Sequence, residues 1–199
     1  MWNERYNEEE FIYGTKANDF LQQVYQHIPA KGHVLCLAEG EGRNAVFLAK
    51  QGYEVTAVDM SEVGLTKAKK LAEERGVHIT TQVADLTEYD FGTKKWDGII
   101  SIWAHMPKPA RERVHQQVVT SLKPNGVFIL EAYTVEQPKM DGIGGPPASK
   151  PEVFMSLAGL RQELSGLEET IGVEKQRDVQ EGKMHQGLSA VVQFVAVKK

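Results

Sequence analysis

Apolar positions recur along the chain in two rhythms. Phe20, Leu21, Val24 and Ile28 fall on one stripe at helical spacing, with Asn18 near its start, and predict an amphipathic helix over 17–28. Pro29-Ala30-Lys31-Gly32 breaks it. Short apolar runs then alternate with helical patterns. Strands are expected over 33–38, 53–58, 77–83 and 97–102, and helices over 43–51, 61–75 and 109–122. Ser61 has the place of an N-cap and Gly76 that of a stop. The turn Lys123-Pro124-Asn125-Gly126 introduces a buried strand over 127–133.

Strands alternating with helices of this length predict a parallel sheet covered on both faces. The last third departs from that rhythm: a helix over 154–164 is followed by extended segments around 168–176 and 188–197. Only Gln180-Glu181-Gly182-Lys183 and its flanks separate them, too short for a crossover helix, so they should pair antiparallel. The expected fold is α/β: a single-domain, Rossmann-like, doubly wound sheet over 1–199, mostly parallel, with a C-terminal antiparallel hairpin at its edge. The stretch 134–151, containing Gly142, Gly144, Gly145, Pro146 and Pro147, follows the carboxyl end of a strand. Ligands bind there in open α/β sheets, so it is expected to be a substrate lid.

Composition narrows the classes. At 199 residues with 41% apolar and 25% charged positions, the chain suits one domain with a full core. A net charge of −4 gives no electrostatic case for nucleic acid or an anionic membrane. The sole cysteine, Cys36, lies in an apolar run and reads as a buried thiol, which fits a reducing, cytoplasmic setting. MWNERYNEEEF at the N-terminus is polar and acidic, unlike a secretion signal, and no apolar run nears the ~20 residues that span a bilayer.

The chemistry concentrates in LCLAEGEGRNAVFLA, Leu35 to Ala49, a strand entering a glycine-rich turn and then a helix. Gly40-Glu41-Gly42-Arg43-Asn44-Ala45 satisfies the G-x-G-x-x-G/A pattern, in which glycines admit a ligand to the backbone and helix amides point at it. Glu39 and Glu41 decide between ligands. A pyrophosphate at ~5 Å, with an effective dielectric near 20, would be opposed by about 3 kcal/mol per carboxylate–phosphate charge pair. S-adenosylmethionine has no phosphate and carries a cationic sulfonium and ammonium, so an acidic glycine turn tolerates it and penalises NAD. Asp59 ends a strand about 20 residues past the glycines, where a ribose-binding carboxylate belongs in either class; a helix-capping role is the alternative. Asp85 sits beyond the third strand, placed either to accept from an adenine amino group or to cap a turn.

With those residues in view, the chain resembles the class I S-adenosylmethionine-dependent methyltransferases. Val34 to Gly42 is similar to the family's first motif, Val58-Asp59-Met60-Ser61 to the second, and Ala84-Asp85-Leu86 to the third. Trp96 to Ser101 resembles the fourth, and Leu122 to Gly126 the turn before strand five. Trp2 to Tyr6, Tyr13-Gly14-Thr15, Arg43-Asn44-Ala45, Gly144-Gly145-Pro146 and Gln193-Phe194 resemble a small bacterial branch grouped with tellurite-resistance-type methyltransferases. The resemblance implies that Glu39, Gly40 and Gly42 meet the methionyl part of the cofactor, Asp59 and Met60 its ribose and adenine, and Asp85 and Leu86 its adenine. Tyr13 would belong to an N-terminal segment, within 1–30, that folds over the cofactor. Cys36 replaces the acid common in strand one and Ala38 the first glycine of the motif, so Glu39 is expected to supply the carboxylate that faces the ammonium.

Methyl transfer is an in-line displacement, and holding the nucleophile aligned can contribute roughly 7–11 kcal/mol. A base is needed only if the acceptor must lose a proton. His105, past the fourth strand, is placed either as an acceptor-side base or as a capping histidine. Tyr133 and Gln137 are placed to line an acceptor pocket, and His185 to reach across it. Val114, Val118 and Leu122 read as core, and Asn7 to Glu10 as a solvated face. No cluster has metal-ligand spacing, so no metal is expected. The expected activity is transfer of a methyl group from S-adenosylmethionine to a small-molecule acceptor, leaving S-adenosylhomocysteine. A non-catalytic S-adenosylmethionine-binding protein and an NAD-type oxidoreductase are the alternatives.

Overall fold

A computed structural model describes residues 2–199. Strands β1 (His33–Leu37), β2 (Glu54–Asp59), β3 (Thr80–Val83), β4 (Trp96–Ile102), β5 (Leu122–Tyr133), β6 (Glu168–Glu181) and β7 (His185–Val197) form one sheet. Its order is β3-β2-β1-β4-β5-β7-β6. All pairings from β3 to β5 are parallel, whereas β5 with β7 and β7 with β6 are antiparallel. The order reverses direction between β1 and β4, which opens a crevice at the carboxyl ends of those two strands.

β1 is buried from Val34 to Leu37 because helices cover both of its faces. Val34 and Cys36 pack with α2 (Asp19–Val24), α3 (Arg43–Lys50) and α4 (Glu62–Glu74); Leu35 and Leu37 pack with α5 (Lys108–Ser121) and α6 (Leu157–Glu163). The period-two alternation of a strand thus assigns successive residues to two different cores. The Cys36 thiol is fully buried, and burial pushes its pKa well up. The caps follow the side chains: Asn18 accepts from the amide of Leu21, and Ser61 from that of Gly64.

Several boundaries differ from expectation. The helix expected over 17–28 is α2 followed by a 3-10 turn at Tyr25–His27. β3 starts only at Thr80. The helix expected from Phe154 begins at Leu157, because Ser156 caps it by accepting from Gly159. The hairpin is longer than its apolar pattern suggested: Gln180 pairs with Gln186 and Glu181 with His185, so Gln180 and Glu181 are strand, and Gly182, at φ +70°, enters the turn. The stretch 134–151 is stitched down rather than free. Gln137 is buried, accepts from the amide of Ala190 in β7 and donates to the carbonyl of Gly144, and Ile143 bridges Gln186.

Candidate active site

The glycine turn leaves β1 through Ala38 at φ +49°, Gly40 at +61° and Gly42 at +89°. Gly42 is dictated by packing, since a Cβ there would lie 2.5 Å from the Cβ of Ala68 on α4. A Cβ on Gly40 would lie 2.5 Å from the hydroxyl of Tyr6. The two glutamates of the turn do different things. Glu39 Oε1 accepts from the amides of Asn44 (2.9 Å) and Ala45 (2.7 Å), so the α3 N-terminal amides are already taken by an oxygen from their own chain. Burial pushes the Glu39 carboxyl up to about 7, against the pull of those two amides and of Arg43. Glu41 turns the other way. It accepts from the amide of Tyr13 at 3.3 Å and pairs with Lys67 of α4 at 2.5 Å.

Asp59 ends β2 with Oδ2 accepting from Gly40 (2.9 Å) and Oδ1 from Ser61 (2.7 Å), and burial raises its pKa. Beside it, Met60 is 52% and Val83 50% exposed at the ends of adjacent strands, with Asp59 and Val83 partners in register. Two apolar side chains thus stand open to solvent next to a buried carboxylate in chain and register. Leu86 is buried in the core. Asp85 is exposed, and its Oδ1 accepts from both the amide and the hydroxyl of Thr87, which is turn chemistry.

Across the crevice, aromatic rings from four segments meet. Trp103 stacks on Tyr133 at 4.3 Å, Tyr13 lies 4.7 Å from His185, and His185 is 5.2 Å from Trp103 and 5.5 Å from Tyr133. Two buried polar atoms here have no hydrogen-bond partner among the described residues: Tyr133 Oη and His185 Nδ1. Burial lowers the pKa of His185 to about 3, aided by Arg43, so the ring is neutral. Burial raises that of Tyr133, with Glu181 and Glu131 adding to it.

His105, expected as an acceptor-side base, is placed otherwise. Its Nδ1 donates to the carbonyl of Val153 (3.0 Å) and its Nε2 accepts from the amide of Tyr133 (3.1 Å). Those partners fix the tautomer and leave no lone pair for an acceptor. Burial takes its pKa down to about 4. His105 therefore fastens β5 to the chain before α6. Of the residues expected around an acceptor, Tyr133 and His185 come together, while His105 and Gln137 are spent on backbone.

A buried ion network escaped the sequence reading. Arg43 Nη2 lies 2.5 Å from Glu181 Oε2, which also accepts from Trp103 Nε1 at 2.6 Å. Arg177 joins Glu181 (3.0 Å) to Glu131 (2.6 Å), and Asn18 donates to both carboxylates. One signal was available: Glu131 and Gln193 are polar interruptions in apolar strands, and they face each other across the β5–β7 ladder.

Residues 34–126 match the family described as “Methyltransferase domain”. Over 109 residues the chain is 34% identical to the ubiquinone biosynthesis O-methyltransferase of Coxiella burnetii, an overlap of 53% of this chain and 46% of the relative. The chain thus spans about half the length of the curated relatives it matches. TehB of Haemophilus influenzae superposes with a TM-score of 0.72 at 17% identity, over 100% of this chain and 66% of that one. The 1,6-didemethyltoxoflavin-N1-methyltransferase of Burkholderia thailandensis, whose structure holds S-adenosylhomocysteine, gives 0.67 at 20% identity over 90% and 76%. The sheet order and these superpositions establish the Rossmann-like class I methyltransferase fold.

Proposed function

We propose that this protein is an S-adenosylmethionine-dependent methyltransferase acting on a small molecule, and that it belongs to the tellurite-resistance-type branch. One observation carries the cofactor assignment: Glu39 of the glycine turn caps the α3 amides that a pyrophosphate would need, while Met60 and Val83 stand open beside Asp59. That arrangement leaves a pyrophosphate without those amides and fits a nucleoside without phosphate. Asp59 would hold the ribose hydroxyls, Met60 and Leu86 would flank the adenine with Asp85 at its edge, and Glu39 with the backbone of Gly40 and Gly42 would meet the methionyl end. Bound there, S-adenosylmethionine supplies an activated methyl group and leaves as S-adenosylhomocysteine.

The aromatic box supports catalysis over mere binding. Trp103, Tyr133 and Tyr13 gather around His185, and Tyr133 Oη and His185 Nδ1 offer a hydroxyl and a neutral imidazole with no partner among the described residues. Buried unpaired polar groups cost stability and are retained where a ligand completes them. An acceptor whose nucleophile hydrogen-bonds to Tyr133 Oη and His185 Nδ1 would do so, held in line for the methyl group. We assign the whole chain, 1–199, to this one domain, with 1–30 as the segment that closes over the cofactor. We place the protein in the cytoplasm, with no nucleic-acid partner; among the described residues no helix is long and apolar enough to cross a membrane.

Calorimetric titration with S-adenosylmethionine, S-adenosylhomocysteine and NAD tests the cofactor. Micromolar binding of the first two and none of NAD is expected; binding of NAD alone would replace this reading with an oxidoreductase. Transfer of a labelled methyl group to thiols, hydroxyl metabolites and oxyanions then tests the activity. Tight cofactor binding with no transfer to any of them would favour the non-catalytic alternative.

A further inference from the structure

We infer that Lys67 is a positioning residue: paired with Glu41, it clamps residues 6–13 over the glycine turn, so that closing one strap completes both the cofactor side and the acceptor box. The link to ligand rests on reading the glycine turn as a cofactor site, while the clamp itself rests on geometry alone.

Lys67 Nζ donates to the carbonyl oxygens of Glu8 (2.9 Å), Glu10 (2.7 Å) and, more weakly, Tyr6 (3.5 Å), and it lies 4.9 Å from the Phe11 ring. Its side chain is 14% exposed and that of Glu41 2%. An ammonium gives up its hydration at a helix surface only where other oxygens replace the water. Here backbone carbonyls of the strap and one carboxylate of the turn converge on it.

Besides Lys67, the strap's middle is held by an exposed ion pair between Glu10 and Lys183 and by the Lys183 amide, which donates to the Ile12 carbonyl. Tyr6 is buried against Gly40 and Gly64, and Ile12 is buried, but every residue from Asn7 to Glu10 is exposed. The far end depends on the same carboxylate, since Glu41 also accepts from the amide of Tyr13, whose ring walls the box beside His185. Gly14 then fits against Gly182 at the hairpin turn. Glu41 stands between Gly40 and Gly42, so a ligand seated on that backbone bears on the residue that fastens the strap. Cofactor contact and acceptor enclosure are thereby joined through Glu41 and Lys67.

Hydrogen exchange of the full chain, with and without S-adenosylhomocysteine, tests this for Lys67→Met, Lys67→Arg and Glu41→Gln. In Lys67→Met the hydrogen-bonded amides of the strap, those of Asn7, Tyr13 and Gly14, should exchange at least about tenfold faster while β1 and β4 keep their protection. S-adenosylhomocysteine should leave at least about tenfold faster, with its association rate little changed. Lys67→Arg, which keeps a cation in reach of Glu41, should recover most of both effects, which loss of general stability would not predict. Unchanged exchange of those strap amides in Lys67→Met would overturn the clamp. A freed strap with an unaltered dissociation rate would overturn its link to the cofactor. If the wild type does not bind S-adenosylhomocysteine, the cofactor reading fails and the exchange of the strap amides still decides the clamp. If Lys67→Met loses protection throughout, Glu41→Gln decides: it keeps an oxygen for the Tyr13 amide but removes the charge paired with Lys67, and exchange of the strap should rise.

Discussion

The carboxylate of Glu39 lies 2.7 Å from the amide of Ala45, at the first turn of α3. The same carboxyl is buried deeply enough that its pKa rises to about 7 from an ordinary 4.5. The folded state therefore keeps a proton that the unfolded chain gives up. The stability this confers is fully present below about 4.5 and is lost as pH rises through about 7. Relative to Glu39→Gln, the wild type should lose about 1.4 kcal/mol per pH unit across that window and then level off. Urea unfolding of both proteins from pH 4 to 9 measures it, and a flat difference would mean that the carboxyl is ionised throughout.

Glu181 behaves in the opposite sense. Burial alone would raise its pKa, but Arg43, the indole N–H of Trp103 and Arg177 hold it down at about 2. Glu163, between His115 and Arg111, is likewise held at about 2. For both, stability is present above the ordinary 4.5 and is lost as pH falls toward 2. Glu181→Gln leaves buried arginines underpaired and should destabilise the protein by about 3–5 kcal/mol at neutral pH. Its thermal midpoint should then vary less with acid than that of the wild type.

Those pairs also mark what could be read from the chain. The parallel half was legible because burial on both faces leaves continuous apolar runs, as in Val34 to Leu37, and because Asn18 and Ser61 announce their helices locally. The glycine turn, Asp59 and Met60 were legible as a motif. The ends of β6 and β7 were not, since Glu181 looks like a solvated turn residue until Arg43 and Arg177 arrive from distant segments. Glu41 is the clearest case. Its charge was visible, but its partner Lys67 sits a helix away, so the carboxylate was read toward a ligand when it faces the strap.

His105 provides a test of structural against chemical role. Both ring nitrogens serve backbone groups, so His105→Ala strands the amide of Tyr133 and the carbonyl of Val153. The expected loss is about 2–4 kcal/mol, summed over the two groups. With its pKa near 4, His105 should contribute no inflection between pH 6 and 8 to a methyl-transfer profile. An inflection abolished in a folded His105→Gln variant would restore it as the base.

Gly42 and Gly52 share a φ of +89° but not their surroundings. A Cβ at Gly52 meets nothing within 4 Å, whereas one at Gly42 strikes Ala68 of α4 at 2.5 Å. Gly52→Ala should cost about 1–2 kcal/mol of backbone strain. Gly42→Ala adds overpacking of about 1–3 kcal/mol. Denaturant midpoints of the two variants give the difference, and equal losses would mean that α4 can move away from the turn.

Tyr133 separates fold from function most sharply. Its ring is fully buried and stacked on Trp103, while its hydroxyl has no partner among the described residues. Tyr133→Phe keeps the ring and removes a buried, unsatisfied hydroxyl. It should therefore leave stability unchanged or raise it by up to about 1–3 kcal/mol, where most core substitutions lower it. If that hydroxyl is kept for an acceptor, the same variant should bind S-adenosylhomocysteine as the wild type does and lose methyl transfer by about tenfold or more, the worth of one hydrogen bond. A more stable protein with weaker transfer and intact cofactor binding is the outcome expected of a group placed for substrate. A less stable Tyr133→Phe would instead mean that the hydroxyl is satisfied inside the protein, and the acceptor site would then rest on His185 alone.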